Sequence, residues 1–255
     1  MIEPERPSQI PSYFYTEPAL NDPLRNPNHR TPAVPDLSTT LAGLAPNENS
    51  SLETIIQTNN NLMYSTVVTG ATLPYLFLGK PLRGGIEKTG LGASAFEVGP
   101  HGAIHGWVGD NRQPNGEDMV HLYSAARDPI FYAHHANCDR LWNSWKDIPG
   151  GKRTGFEDDE DWLDSQLLFY DENADLVRVK VRDSLDNVKL KYTYEEVDNP
   201  WLRHQPVSYK KEKSNTLASV STIASWLSAG SELLSSLRNT LKVNKIFPMG
   251  RTGML

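Results

Sequence analysis

A mainly α-helical protein with a small β component is what the sequence predicts, and three observations carry the prediction. Apolar residues recur at helical spacing over 51–70 and again over 219–243. Histidines and a carboxylate stand four residues apart: His101 and His105 in PHGAIHGW, then His135 and Asp139 in DPIFYAHHANCDRLW. Residues four apart share one face of an α-helix, so each pair acts together only if its segment is helical. Finally, LVRVKV and VKLKYTY alternate apolar and polar residues and are joined by RDSLDN, which predicts a two-stranded hairpin.

Taken in order, residues 1–50 carry proline at 4, 7, 11, 18, 23, 27, 32, 35 and 46. Proline fixes φ and removes a backbone donor, so an extended, turn-rich arm is expected rather than a helix. His29 lies among these prolines and is expected to be exposed. From Ser51 the pattern changes. Leu52, Ile55, Ile56, Leu62, Met63, Val67 and Val68 predict one or two helices packed beneath the histidines. LPYLFLGKPLRGG then runs into a turn at Gly84-Gly85, which lacks the lysine and the strand-to-helix context of a phosphate loop. The segment from Trp107 to Pro129 is a loop leading into the second histidine helix, and His121 within it is expected to face solvent.

Beyond Trp145, the acidic cluster at 157–161 lacks the Asp-x-Asp-x-Asp-Gly spacing of a calcium loop and is expected to be a solvated face. After the hairpin, KKEKSN reads as an exposed linker. Val220, Ile223, Trp226, Leu227, Leu233, Leu234, Leu237 and Leu241 then predict an amphipathic helix near 219–243. Such a helix caps the domain, meets a partner or lies on a membrane surface. The expected organisation is an arm over 1–50, a histidine-bearing region over 51–150, a small β-containing domain over 157–205, and a linker with its helix over 206–255.

Composition narrows the function classes. The 255 residues are enough for one large or two small domains. A net charge of −6 offers no basic surface for nucleic acid. Mean hydropathy is −0.50, and no apolar run approaches the ~20 residues that span a bilayer. The opening MIEPERPSQIPSYFY is neither a secretory signal nor an Arg- and Ser-rich transit peptide, so the chain is expected to carry no targeting segment. The single Cys138 excludes an internal disulfide framework and is expected to be a small buried packing residue.

Three neutral imidazoles with an open coordination position suit copper and zinc alike, so the histidines alone leave the metal open. The arrangement of Asp128, Pro129, Phe131, His135 and Asp139, with His101 and His105 thirty residues earlier, resembles the copper B half of plant polyphenol oxidases, the tyrosinase and catechol oxidase family. Asp161-Trp162-Leu163 and the following FYDE resemble that family's DWL domain. The resemblance implies copper, with His101, His105 and His135 as ligands and His134 not among them. It implies half of the family's α-helical di-copper bundle joined to a hairpin-containing DWL domain. Asp139 is then expected beyond the ligands, fixing one of them or the helix by hydrogen bonding. It further implies a phenolic substrate, dioxygen and a plastid setting, the thylakoid lumen.

Three positions refine that expectation. Glu97, four residues before His101, matches a glutamate thought to hold a water near the phenol; its other reading is a carboxylate at a helix N-terminus. The family places asparagine just after the first copper B histidine, where this sequence has Gly102, and that favours diphenol over monophenol oxidation. Leu122, thirteen residues before His135, stands where the family has a phenylalanine gate. Leucine keeps an apolar lid but loses the aromatic edge.

The copper A half has no counterpart in these residues. Seven histidines are present and only His29 precedes His101. Two-electron reduction of dioxygen takes one electron from each of two cuprous ions, so a lone copper does not perform that step. The expectation is therefore a catechol oxidase-type chain, inactive and marginally stable by itself, with a partner chain or a homodimer covering the missing half. A non-catalytic metal-binding or interaction module stays open beside it.

Overall fold

The computed structural model describes residues 10–27, 37, 51–79, 93–110, 112–113, 118–153 and 159–204. His29, the Gly84-Gly85 turn and the helix expected near 219–243 lie outside the described residues. Within the proline-rich arm, Tyr13–Thr16 closes a single helical turn, α1, where an extended run was expected. A proline precedes this turn, but none lies within Tyr13–Thr16 to break its hydrogen bonds.

Helix α2, Leu52–Met63, starts where the sequence offers a cap: Ser51 is extended and its Oγ accepts from Thr54 N at 3.2 Å. It continues without a break into a π-helical segment, Tyr64–Thr69. Pro74 then opens α3, Pro74–Leu78, which ends at Gly79 with φ 88°. A second π-helical turn, Glu97–His101, leads into α4, Gly102–Val108, and is broken at Gly99, whose ψ of −112° is not helical. The longest helix among the described residues is α5, Ile130–Lys146. Asp128 prepares its start, accepting from Ile130 N at 3.0 Å.

Packing follows three apolar clusters. The first joins Val67, Ala71, Phe77, Phe96, Leu141, Trp145 and Trp201. At its centre Trp145 is fully buried, stacks on Phe77 at 4.8 Å and donates its indole N–H to Ala71 O. Arg153 lies over the same indole and donates to the carbonyls of Val68, Ile148 and Gly150. The second cluster sets Phe14 of the arm against Trp107, Val108, Met119, Ala125 and Ile130. In the third, Leu62 of α2 meets Leu37 and Ala103, so α2 does back the helix that carries His105.

Arg25 fastens the arm. Its Nε and Nη2 bond the two Asp128 carboxylate oxygens at 2.9 and 2.5 Å, and the remaining guanidinium donors reach Phe14 O and Leu20 O. The side chains of both partners are buried, 0% and 2% exposed. A buried ion pair is tolerable when its spare donors and acceptors are satisfied, as they are at Arg25.

Among the described residues the β component is one antiparallel hairpin, β1 Gln166–Tyr170 and β2 Leu176–Lys180, in register from Gln166↔Lys180 to Tyr170↔Leu176. LVRVKV is thus a strand, but its partner lies before it, which corrects the pairing with VKLKYTY. Asp171 explains the choice: its carboxylate accepts from Asn173 N and Asp175 N, closing a tight turn that allows Ala174 a φ of 64°. After β2, Val181–Ser184 coils into a 3₁₀ turn, and Asp186 ties down Val188 N and Lys189 N, so the second alternating run never extends beside the first.

Tyr192 and Tyr194 of that run reach α5 instead. Both hydroxyls donate to Asp139 Oδ2, at 2.7 and 2.6 Å. Burial and this carboxylate push the Tyr194 phenol far above its usual range. Arg140 adds a bond to Asn199 Oδ1 at 3.1 Å, and Trp201 enters the first cluster. Exchanging Tyr194 for phenylalanine is expected to cost about 1.5 kcal/mol, because Tyr192 still satisfies the charged acceptor. Urea unfolding measures it, and an unchanged midpoint would remove the bond from the stabilising set.

The acidic stretch also has a specific use. Asp159 caps α6, Glu160–Leu163, by accepting from Trp162 N, and Glu160 and Asp164 pair with Arg182. These pairs are solvent-exposed and contribute little.

Candidate metal centre

The four-residue spacing works as the sequence implied. His101 stands at the start of α4 and His105 within it, their ring centroids 4.7 Å apart, while His134 and His135 project from α5. His101 Nε2 lies 3.2 Å from both His105 Nε2 and His135 Nε2. Two nitrogens each bound at 2.0–2.1 Å to one tetrahedral ion would stand about 3.3 Å apart, so this spacing suits a shared cation.

The opposite ring nitrogens are held by main-chain carbonyls. His105 Nδ1 donates to Met119 O at 2.7 Å, His135 Nδ1 to Phe131 O at 2.8 Å and His101 Nδ1 to Glu97 O at 3.2 Å. A carbonyl only accepts, so each of these rings carries its proton on Nδ1 and turns an Nε2 lone pair inward, as metal-binding histidines require. His134 differs. Proximity alone groups it with His101 and His105, with ligand nitrogens within 4.8 Å. Its Nε2, however, is engaged by His101 O at 3.2 Å and sits 3.9 Å from Cys138 Sγ. The donor set that leaves inward lone pairs free is therefore His101, His105 and His135.

Burial disfavours the charged form of three of the histidines. It pushes His105 down to about 4 and His134 to about 3, and lowers His101 as well. Unfolded histidines bind protons below about 6.5 whereas folded His105 resists until about 4, so the unfolded state holds more protons between those values. The metal-free chain is expected to lose stability as the pH falls from about 6.5 through 4. Thermal midpoints taken across that window test it; a flat profile contradicts the burial of the rings.

Phe131 forms an apolar wall, 3.9 Å from the His135 ring and 5.9 Å from that of His105. Glu97 is an exposed residue at the head of the π-turn. Leu122 is 83% exposed, so it stands in solvent and does not form the expected apolar lid. His121 is half-buried with its ring 5.9 Å from that of Tyr123, where a solvent-facing side chain was expected. Cys138 is half-buried against the first cluster, and burial pushes its thiol up to about 12, in keeping with a packing role. Asp139, expected to fix a ligand or the helix, bonds the two tyrosines and so fixes the helix. Sequence reasoning missed those tyrosines and Arg25.

The common central domain of tyrosinase matches residues 4–148, and the polyphenol oxidase middle domain matches 157–207. The chain belongs to the plant polyphenol oxidase family. It is 48% identical over 195 residues to the chloroplastic polyphenol oxidase of Malus domestica, covering 76% of this chain and 32% of that protein. Aureusidin synthase of Antirrhinum majus is 45% identical over 198 residues, 77% of this chain and 34% of the relative. The structure of latent apple tyrosinase superposes with a TM-score of 0.69 at 47% identity, over 79% of this chain and 42% of that one. The chain spans about a third of the length of the curated relatives it matches. Copper is the metal this family implies, and the three inward nitrogens provide a donor set suited to it. Among the described residues no helix is long and apolar enough to cross a membrane.

Proposed function

We propose that the chain supplies the copper B half of a catechol oxidase-type polyphenol oxidase, which converts o-diphenols to o-quinones with dioxygen. His101, His105 and His135 would hold one copper ion through their Nε2 atoms. The observation that carries this reading is the convergence of those three nitrogens, each backed by an Nδ1–H···O=C bond. Copper bound there would alternate between cupric and cuprous states and so accept an electron. The names of its relatives support a plastid setting.

The chain's own groups shape what reaches the site. Phe131 offers an apolar face to a phenolic ring beside His135. Glu97 orients His101 through its carbonyl, while its carboxylate is assigned to hold a water near the substrate hydroxyl. Gly102 has no side chain to give that water a second partner, which favours diphenols. Leu122, which stands in solvent here, is assigned to packing on substrate only once another surface covers it.

Copper at a single three-histidine site would supply one of the two electrons that dioxygen needs, so turnover needs a second copper beyond the one that His101, His105 and His135 would hold. Copper analysis and catechol oxidation by the copper-loaded chain test this. About one copper per chain without turnover is expected, and His135→Ala should abolish the binding. Turnover that His135→Ala removes would overturn the half-site reading and point to a homodimer, whose coupled coppers would be silent in electron paramagnetic resonance.

A non-catalytic copper- or zinc-binding module is the second reading. It is favoured by the donor set, three converging imidazole nitrogens that suit zinc as well as copper. Adding a separately produced copper A chain separates the two, since turnover appears only under the first.

A further inference from the structure

We infer that His134 is a positioning residue for the metal centre: its Nε2–H donates to the His101 carbonyl and thereby sets how α4 meets α5. This rests on the reading that His101, His105 and His135 are the ligands. The need for such a tie begins at Gly99, which leaves helical geometry, and Pro100, which has no N–H to give. The chain thus enters α4 through a break, and His101 sits immediately after it, without an unbroken helix behind it to fix its direction.

His134 supplies that constraint from the opposite helix. Its Nε2 is 3.2 Å from His101 O, and because the carbonyl only accepts, the proton of the neutral ring belongs on Nε2. The imidazole also lies nearly parallel to that of His101, 17° between planes and 5.2 Å between centroids. Its edges meet the rings of His105 and His135 at 5.0 and 5.2 Å. One side chain therefore touches all three proposed ligands while its own Nε2 is committed to the main chain. Outer groups that orient ligands typically change metal affinity by about 10- to 100-fold when removed.

Glutamine places a side-chain amide N–H near the position of Nε2, whereas asparagine is too short and leucine has no donor. Cupric affinity of the purified chain is measured by competition with a chromophoric chelator, alongside the paramagnetic resonance spectrum and the metal-free thermal midpoint. His134→Leu and His134→Asn are expected to weaken copper binding about 10- to 100-fold and to alter the copper hyperfine splitting. His134→Gln should restore both close to the unmodified chain. Equal affinity and spectrum in His134→Asn, or a glutamine variant as weak as asparagine, would overturn the inference. Should the leucine variant fail to fold, the Asn and Gln pair decides. His135→Ala serves as the separate control. Copper retained in it means that the ligand reading has failed, whereas copper lost from it with His134→Asn unaffected means that only the positioning role has failed.

Discussion

Replacing Arg25 with alanine is expected to cost about 3–5 kcal/mol of stability, read as a fall in the denaturant midpoint. The guanidinium holds Asp128 through two bonds, and both side chains are buried. Truncation strands a carboxylate in an apolar setting beside Ile130 and the second cluster, where the charge has no solvent to fall back on. It also frees Phe14 O and Leu20 O, so the arm loses its attachment as the ion pair is lost. Lysine should not rescue the change, because one ammonium cannot reproduce the two-pronged contact with the carboxylate. The paired exchange Arg25→Met with Asp128→Leu should recover much of the loss, since no charge then remains unpaired. A single Arg25→Ala variant within about 0.5 kcal/mol of the unmodified chain, the range of ordinary surface substitutions, would mean that the arm is not fastened there.

Trp145→Ala is the other large effect, again about 3–5 kcal/mol. The indole is fully buried, stacks on Phe77 and bonds Ala71 O at the end of the π-helical segment. Truncation leaves a cavity among the six other residues of the cluster and takes away the carbonyl's donor. Trp145→Phe retains most of the volume without the N–H, so it should cost less and separate packing from the hydrogen bond. Because Trp145 anchors the C-terminal end of the helix that carries His135, copper affinity should fall in step with the midpoint. A destabilised variant that binds copper normally would show that the histidine end of α5 is held independently of its other end.

Periodicity made much of the fold and of the site legible. His101 and His105, and the histidine and aspartate of α5, obey the four-residue rule, and a helix has no other way to present them. The hairpin shows the limit of the same method. Leu167, Leu168, Phe169 and Tyr170 form an unbroken apolar run with no alternation, and in the structure all four are exposed. The run has no two-residue period, while VKLKYTY has one but is drawn away by Asp139. A two-residue period describes local geometry and carries no information about a carboxylate more than fifty positions distant. Arg25 was illegible for the same reason, since its partner lies 103 residues along the chain. Leu122 was singled out by counting, but a count along the chain does not say which way a side chain turns, and this one stands in solvent.

The three ring-orienting acceptors, Glu97 O, Met119 O and Phe131 O, all belong to the main chain. No substitution at those positions deletes a carbonyl, so mutation alters the walls of the site without rewiring its rings. Side chains around the three nitrogens can therefore change while the imidazoles stay aimed at one point, which separates what shapes the cavity wall from what orients the rings.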